Sequence, residues 1–282
     1  MNLADLVVKT SGDRRVGLDG LAEDVAAQVA GGRRVVVVHG GQDRIRELAE
    51  RLGVADETLT SPSGVAFRRT DPAMLEVVTL ALTGSMRGEV LTALRGAGLR
   101  AVGLGGADGT VRARRKPAPR AVVDGRTMAV HDDHSGRPES VDTTVLAALL
   151  RAGVVPVLSP PAVAEDGGLV NVNADRVAAL VAVALGAPEL VLLTATDGVR
   201  ADPTDAGSRI DVLETDARGR TRTARITGGM TGKLVAAADA LTGGVAAVRV
   251  ADGRIAHPVR DALSGGGTRV RLAHAVAIGS DS

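Results

Sequence analysis

The chain has 282 residues, a formal net charge of +1, no cysteine, and Phe67 as its single Phe, Tyr or Trp. The small charge and the lack of stacking side chains argue against nucleic-acid binding, and the lack of cysteine excludes disulfides and thiolate chemistry. No run of about 18 apolar residues and no basic leader followed by an apolar stretch is present, so we expect a cytoplasmic protein without a membrane span.

Apolar runs that end in glycine or polar turns alternate with segments of helical periodicity, which predicts an α/β fold with a mainly parallel central sheet. Predicted strands cover residues 6–9, 33–39, 101–104, 154–158, 169–173, 190–194 and 247–250. Predicted helices cover residues 18–30, 42–52, 72–83, 88–96, 141–152, 175–185 and 232–241. The Asp124-Gly125 pair predicts a β-hairpin within 110–130, and residues 273–282 are expected to form a loose tail. We place a lobe boundary near residue 172, giving lobes 1–172 and 173–282.

A glycine pair, Gly40-Gly41, separates the predicted strand 33–39 from the predicted helix 42–52. Glycines in this position let backbone amides approach an anion, and the helix N-terminus adds a favourable dipole. The alternative is a tight strand–helix turn that binds nothing.

Two lysines also stand beside glycine-bearing loops. Lys9 ends the first predicted strand, where a solvated edge residue is the alternative interpretation. Lys233 follows a glycine-rich run that resembles a P-loop, but only three residues separate Gly228 from Gly232, and Leu234 replaces the required Ser or Thr. A Walker-type NTPase is therefore rejected, and the run is interpreted as a glycine loop that presents one lysine at a helix start.

Two further polar side chains are candidates for the same site. Asp175 begins a predicted helix, where it is either a plain N-cap or a carboxylate that orients two nearby lysines and keeps them charged. Arg68 is either a clamp for a substrate carboxylate or an exposed loop arginine.

Two motif-like segments are rejected. The run from Gly103 to Gly109 nearly matches a dinucleotide-binding fingerprint, but Asp108 occupies the position of a required glycine. The segment 131–134, His-Asp-Asp-His, offers metal-ligand types without a third ligand at a characteristic spacing, so a solvated loop is favoured and no protein-held metal site is predicted.

A dense basic cluster occupies a predicted hairpin and contains Arg112, Arg114, Arg115, Lys116 and Arg120. Such runs are usually solvated faces, yet this density suggests an acidic partner. Without neighbouring aromatic residues, an acidic protein is favoured over nucleic acid.

Taken together, these motifs resemble the amino acid kinase family over residues 6–270, from the Lys9 loop through Val-His-Gly-Gly, Arg-x-Thr-Asp and Asn-Val-Asn-Ala-Asp to Gly-Gly-Met-x-x-Lys. Within the family, the segments 114–118 and 133–142 resemble the branch that phosphorylates α-aminoadipate or glutamate linked to the acidic amino-group carrier protein LysW.

The resemblance implies an open αβα sandwich with a substrate lobe and a nucleotide lobe, a homodimer, and the use of ATP and Mg²⁺. It also implies roles for particular residues. Lys9 and Lys233 would stabilise the transferring phosphoryl group, and Asp175 would organise them. Phosphate contacts would come from Ser11, Gly12, Gly40 and Gly41, substrate contacts from Arg68 and Asn171, and carrier docking from Arg112, Arg114, Arg115 and Lys116.

Two other functions stay open at this stage. One is an N-acetylglutamate kinase that takes a free small acceptor. The other is a nucleotide-binding regulator without turnover, because Ser11 and Ala195 depart from the family pattern in two loops.

Overall fold

The structure is a computed structural model that describes residues 2–62, 66–118, 120–123, 126–226 and 228–273. The strands are β1 (Leu6–Thr10), β2 (Val35–His39), β3 (Thr58–Thr60), β4 (Ala66–Arg68), β5 (Ala101–Gly105), β6 (Val111–Arg115), β7 (Arg120–Val123), β8 (Arg126–Ala129), β9 (Gly136–Val141), β10 (Val155–Ser159), β11 (Ala162–Ala164), β12 (Leu169–Val170), β13 (Glu189–Thr194), β14 (Val212–Thr215), β15 (Ala247–Asp252) and β16 (Thr268–Leu272). The α-helices are α1 (Leu18–Ala30), α2 (Gln42–Leu52), α3 (Pro72–Thr79), α4 (Arg87–Gly96), α5 (Thr143–Arg151), α6 (Ala174–Leu185), α7 (Gly229–Thr242) and α8 (Pro258–Leu263).

The main sheet has eight strands in the order β14-β16-β15-β13-β1-β2-β10-β5. Neighbouring strands are parallel throughout, except for the antiparallel pair β15 and β16. The predicted α/β class with a mainly parallel sheet is therefore confirmed. Because parallel strands all end at one edge, the loops after β1, β2, β10 and β13 meet there.

Helices cover both faces of this sheet, as in an αβα sandwich. Along β1, Leu6 and Val8 pack into a core with α1, α4 and α8, whereas Val7 packs into the opposite core with α5, α6 and α7. Successive side chains of a strand point to opposite faces, so Lys9 continues the face of Val7 and points toward α6.

Helix boundaries follow local capping chemistry. The helices predicted at 18–30 and 42–52 have those bounds. The Asp71 side chain accepts the Met74 N–H at 2.8 Å and Pro72 occupies the first turn, which fixes the start of α3. Gly186, with φ of 62°, ends α6 in the left-handed conformation.

The helices predicted at 72–83 and 88–96 are one continuous helical stretch, because a π-helical segment, Leu80–Met86, joins α3 to α4. Gly84 weakened the prediction of helix between residues 83 and 88, although the helical stretch continues through it. This stretch, Pro72–Gly96, is long and apolar enough to cross a membrane, with a mean hydropathy of 1.2 over its most apolar segment. Within the protein, 39% of that segment is buried. Core helices of folded proteins pass the same test, so this is weak evidence for a span.

Of the basic cluster, Arg120 lies on a hairpin as predicted, at the start of β7, whereas the other four residues do not. Strand β6, which carries Arg112, Arg114 and Arg115, lies in a four-stranded sheet of order β12-β11-β6-β9, between β9 and β11. The hairpin is formed by β7 and β8, and its predicted turn at 124–125 lies outside the described residues. Strands β9 and β11 carry weak alternation in the sequence, so the partners of β6 were missed.

Several other short elements were also missed: β3, β4, β14, β16 and α8. The strand predicted at 169–173 ends at Val170, after which Asn171 forms an isolated bridge with Ser135. Apart from Ala273, the predicted tail lies outside the described residues. The lobe boundary near residue 172 falls between β12 and α6 and stays a prediction.

Candidate functional site

The site begins with a lysine in the interior of the protein. Lys9 is 5% exposed near the end of the central strand β1, and its Nζ lies 2.8 Å from Asp175 Oδ1. Asp175 is not the N-cap of α6, because Asn173 holds that position and accepts the Arg176 N–H at 3.1 Å. Asp175 instead lies in the first helical turn and points into the site.

A second lysine meets the same carboxylate oxygen. Lys233 lies in the first turns of α7 and is 7% exposed, and its Nζ donates to Asp175 Oδ1 at 2.9 Å. We call Lys9, Lys233 and Asp175 the buried triad. Two ammonium groups against one carboxylate leave a net charge of +1 in a site shielded from water.

Burial and the second cation determine the titration of the triad. Burial, the larger cause, and the nearby Lys233 together lower the pKa of Lys9 from 10.5 to about 8, despite the attraction of Asp175. Burial acts to raise the pKa of Asp175, but attraction to Lys233 and Lys9 outweighs it and holds that pKa well below its usual value. Asp175 is thus ionised at all physiological pH values, and Lys9 is mostly charged at pH 7.

The two predicted glycine loops lie against each other at the carboxyl edge of the sheet. A Cβ added to Gly12 would lie 2.0 Å from Gly41 Cα, and one added to Gly40 would lie 3.8 Å from Lys9 Nζ. The Gly40 N–H donates to Thr10 O at 3.2 Å, so Gly40 already has one backbone partner. The close loop contact explains why glycine occupies position 12.

Ser11 lies in the first of these loops. Its Oγ accepts the Asp13 N–H at 3.3 Å, which braces the turn after β1. The structure therefore brings the predicted phosphate-binding loops beside the buried triad.

The predicted substrate residues lie at neighbouring turns. Arg68 binds Asp56 through two bonds, Nε to Oδ1 at 2.6 Å and Nη2 to Oδ2 at 3.0 Å. Asn171 Nδ2 donates to Thr70 Oγ1 at 3.2 Å. Asn171 thus contacts the turn that follows Arg68, and the role of both residues in substrate binding stays a prediction.

The segment 131–134 has a structural role. Asp133 is buried and accepts the N–H of Thr70 at 2.8 Å and of Ser135 at 3.0 Å. Within the described residues, no group of three or more acidic or His side chains could hold a metal ion.

Three residues of the basic cluster line a cavity bounded by α6. Arg114, Arg115 and Lys116 contribute to a cavity of about 560 Å³, together with Arg137 and Arg176, which the sequence analysis missed. Arg176 directly follows Asp175 in the chain, so one wall of the cavity is α6, the helix that also carries Asp175. The sequence does not indicate that Arg176 faces a cavity, because neither β9 nor the packing of α6 against β9 was predicted.

Sequence reasoning also missed two polar groups near the glycine loops. His39 is fully buried, its Nδ1 donates to Gly40 O at 2.9 Å, and burial lowers its pKa to about 4, so it is neutral. Arg87 lies across Gly103 and Gly105, where an added Cβ would come within 2.4 and 2.2 Å of it. The glycines that imitate a dinucleotide fingerprint therefore make room for an arginine side chain.

Comparison with known proteins gives a consistent result. Residues 6–252 match the model of the amino acid kinase family. The chain is 36% identical over 267 residues to a [LysW]-aminoadipate kinase of Deinococcus radiodurans, covering 94% of this chain and 91% of that protein. It is also 36% identical over 257 residues to an acetylglutamate kinase of Symbiobacterium thermophilum, covering 89% of this chain and 85% of that protein.

Among solved structures, the chain resembles the N-acetylglutamate synthase from Neisseria gonorrhoeae complexed with coenzyme A and N-acetyl-glutamate. The TM-score is 0.74 at 27% identity, over 96% of this chain. The chain spans only 60% of the length of that protein, so this similarity supports the fold of the shared part.

Proposed function

Because the chain belongs to the amino acid kinase family, it is an ATP-dependent phosphotransferase with a carboxyl acceptor, and we propose that it acts on a carrier-linked amino acid. The acceptor would be the distal carboxylate of an α-aminoadipate or glutamate joined to an acidic amino-group carrier protein of the LysW type, and the product an acyl phosphate. The observation that carries this proposal is the buried triad, together with a cation-lined cavity bounded by the same helix, α6.

The triad suits a carboxylate acceptor. Such a carboxylate has a pKa near 4 and is already a nucleophile at pH 7, so no general base is required. The barrier comes from bringing this anion against the γ-phosphate of ATP. Lys9 and Lys233 would neutralise the charge that accumulates during transfer, and Asp175 would hold both ammonium groups in place beforehand.

The glycine loops suit a phosphate chain. Gly12 and Gly41 approach too closely to admit side chains, which leaves backbone to face the phosphates, with Ser11 and Gly40 beside them. Arg68 and Asn171 would hold the amino-acid end of the acceptor.

Mg²⁺ fits this site as a partner of ATP. No cluster of three ligand side chains occurs in the described residues, so the ATP phosphates and water would hold most of its coordination sphere. When bound, Mg²⁺ neutralises phosphate charge. The residues of the triad need supply only fixed positive charge around it.

The carrier part of the proposal depends on charge. Arg114, Arg115 and Lys116 line the cavity bounded by α6, and an acidic carrier would bring complementary charge to them. Arg112 shares β6 with Arg114 and Arg115 and would extend this surface. The protein would work in the cytoplasm as a homodimer, with residues 1–172 forming the acceptor lobe and 173–282 the nucleotide lobe.

A free N-acetylglutamate acceptor is the second candidate, because the acetylglutamate kinase named above is as similar in sequence as the carrier kinase. The test is ATP turnover by the purified chain with N-acetylglutamate and with the carrier linked to aminoadipate or glutamate, trapping the acyl phosphate with hydroxylamine. Turnover with the carrier-linked substrates alone supports the proposal. Turnover with N-acetylglutamate alone refutes it.

A further inference from the structure

The cavity bounded by α6 is strongly cationic. Its lining includes five basic side chains and two acidic ones, Glu139 and Asp239. Arg137 is exposed, and within the described residues it has no acidic group within 4 Å. An excess of three positive charges in a concave surface attracts acidic ligands and repels basic ones.

Beyond Arg176, the wall formed by α6 is apolar. Ala179, Leu180 and Val183 line it, and their spacing places them along one side of the helix. An occupant of the cavity therefore needs apolar surface next to its acidic groups. A polypeptide segment satisfies this requirement better than a small polyanion does.

Arg176 lines this cavity from the helix that also carries Asp175. Its Nε and Nη2 lie 3.1 and 2.8 Å from Asp239 Oδ2. The ion pair joins α6 to α7, the two helices that also carry Asp175 and Lys233. The side chain of Arg176 is 24% exposed and that of Asp239 is 36% exposed, so the pair lies at the cavity surface, where an incoming carboxylate can compete for the guanidinium.

We propose that the cavity seats an acidic, partly apolar segment of the carrier protein, and that Arg176 exchanges Asp239 for a carboxylate of that segment when the carrier docks. This proposal rests on the carrier-kinase function. It adds Arg137 and Arg176 to the docking surface and assigns Asp239 as an intramolecular competitor.

Replacing Asp239 separates the proposal from a purely structural role, because the two predict opposite directions for the change in KM. If the carrier competes with Asp239, Asp239→Asn frees Arg176 and lowers the KM for carrier-linked substrate, whereas Arg176→Gln raises it by about fivefold to tenfold. If the ion pair serves only to join α6 to α7, both variants lower the melting temperature and impair turnover in the same direction.

The experiment measures KM and kcat for carrier-linked substrate at several salt concentrations, using wild type, Arg176→Gln, Arg137→Gln, Asp239→Asn and the control Arg151→Gln. Arg151 is an exposed cation on α5 outside the cavity, so its replacement removes one charge without touching the docking surface. Opposite KM changes for Arg176→Gln and Asp239→Asn, with a weaker salt dependence for Arg137→Gln and Arg176→Gln than for Arg151→Gln, support the proposal.

Impairment in the same direction by Arg176→Gln and Asp239→Asn refutes the exchange. Two further results would overturn the proposal, and they are distinguishable. Wild-type turnover of the carrier-linked substrate with unchanged KM in all cavity variants refutes the docking site and leaves the proposed function intact. Wild-type turnover of N-acetylglutamate alone refutes the proposed function, and the docking site with it.

Discussion

Replacing Lys9 with methionine should make the protein more stable and nearly inactive. The side chain is 5% exposed, and burial lowers its pKa from 10.5 to about 8. A charged Lys9 therefore costs the folded state free energy that a neutral side chain of similar length does not. Lys233 still pairs with Asp175 in the variant, so that carboxylate keeps a partner.

The magnitude follows from the two pKa values. They differ by roughly 2.5 pH units, and each unit corresponds to about 1.4 kcal/mol, so the cost at pH 7 is about 3 kcal/mol. The unfolded chain keeps this proton up to about pH 10.5 and the folded chain only up to about pH 8. The cost is thus fully present below pH 8 and disappears as the pH rises toward 10.5.

The assay is urea unfolding of wild type and Lys9→Met at pH 7 and at pH 10. We expect the variant to gain up to about 3 kcal/mol in unfolding free energy at pH 7 and less than about 1 kcal/mol at pH 10. Turnover should fall by at least about 100-fold, because a cation beside the transferring phosphoryl group is lost. A variant that is less stable than wild type at pH 7, or whose advantage does not change with pH, would refute the reasoning.

Four further outcomes are expected. Asp175→Asn leaves two buried cations without a counter-charge and should lower the unfolding free energy by about 3–5 kcal/mol in the same urea assay, opposite in sign to Lys9→Met. Lys233→Ala should reduce kcat by on the order of 100-fold or more while circular dichroism shows an intact fold, and near-normal turnover would contradict its role. Gly12→Ala should lower kcat by at least about tenfold, because its Cβ would lie 2.0 Å from Gly41 Cα and force the loops apart; an unchanged kcat would mean that the loop spacing is unimportant. In wild type, kcat/KM should fall about tenfold per pH unit as Lys9 loses its proton above its pKa of about 8, and a flat profile up to pH 10 would exclude this assignment.

Strong local patterns made much of the fold predictable. The run 35–38 is apolar throughout because helices cover both faces of the sheet there, and the helices at 18–30 and 42–52 show their periodicity without interruption. The short strands β9 and β11 have no such pattern. They exist because β6 pairs with them across long stretches of chain, which local sequence does not encode.

The site was predictable where backbone chemistry required special residues, and less so elsewhere. The glycine loops and two lysines could be picked out one by one, and the family resemblance joined them. The sharing of one Asp175 oxygen by both lysines depends on the docking of α6 and α7, and so does the neighbouring Arg176. The glycines at 103 and 105 resemble part of a dinucleotide-binding fingerprint, but they make room for the side chain of Arg87. The sequence could not show this, because Arg87 lies on a different element.

The position of β1 has a consequence for how the protein is made. Among the strands of the main sheet, β1 is synthesised before its two neighbours, yet it lies in the middle of the sheet, with β2 on one side and β13, which begins at Glu189, on the other. One long edge of β1 therefore stays without its strand partner until β13 has been synthesised. Long-range parallel pairing of this kind forms slowly and exposes strand edges meanwhile. Nascent chains stalled before residue 189 should engage chaperones strongly, whereas chains released beyond β13 should not.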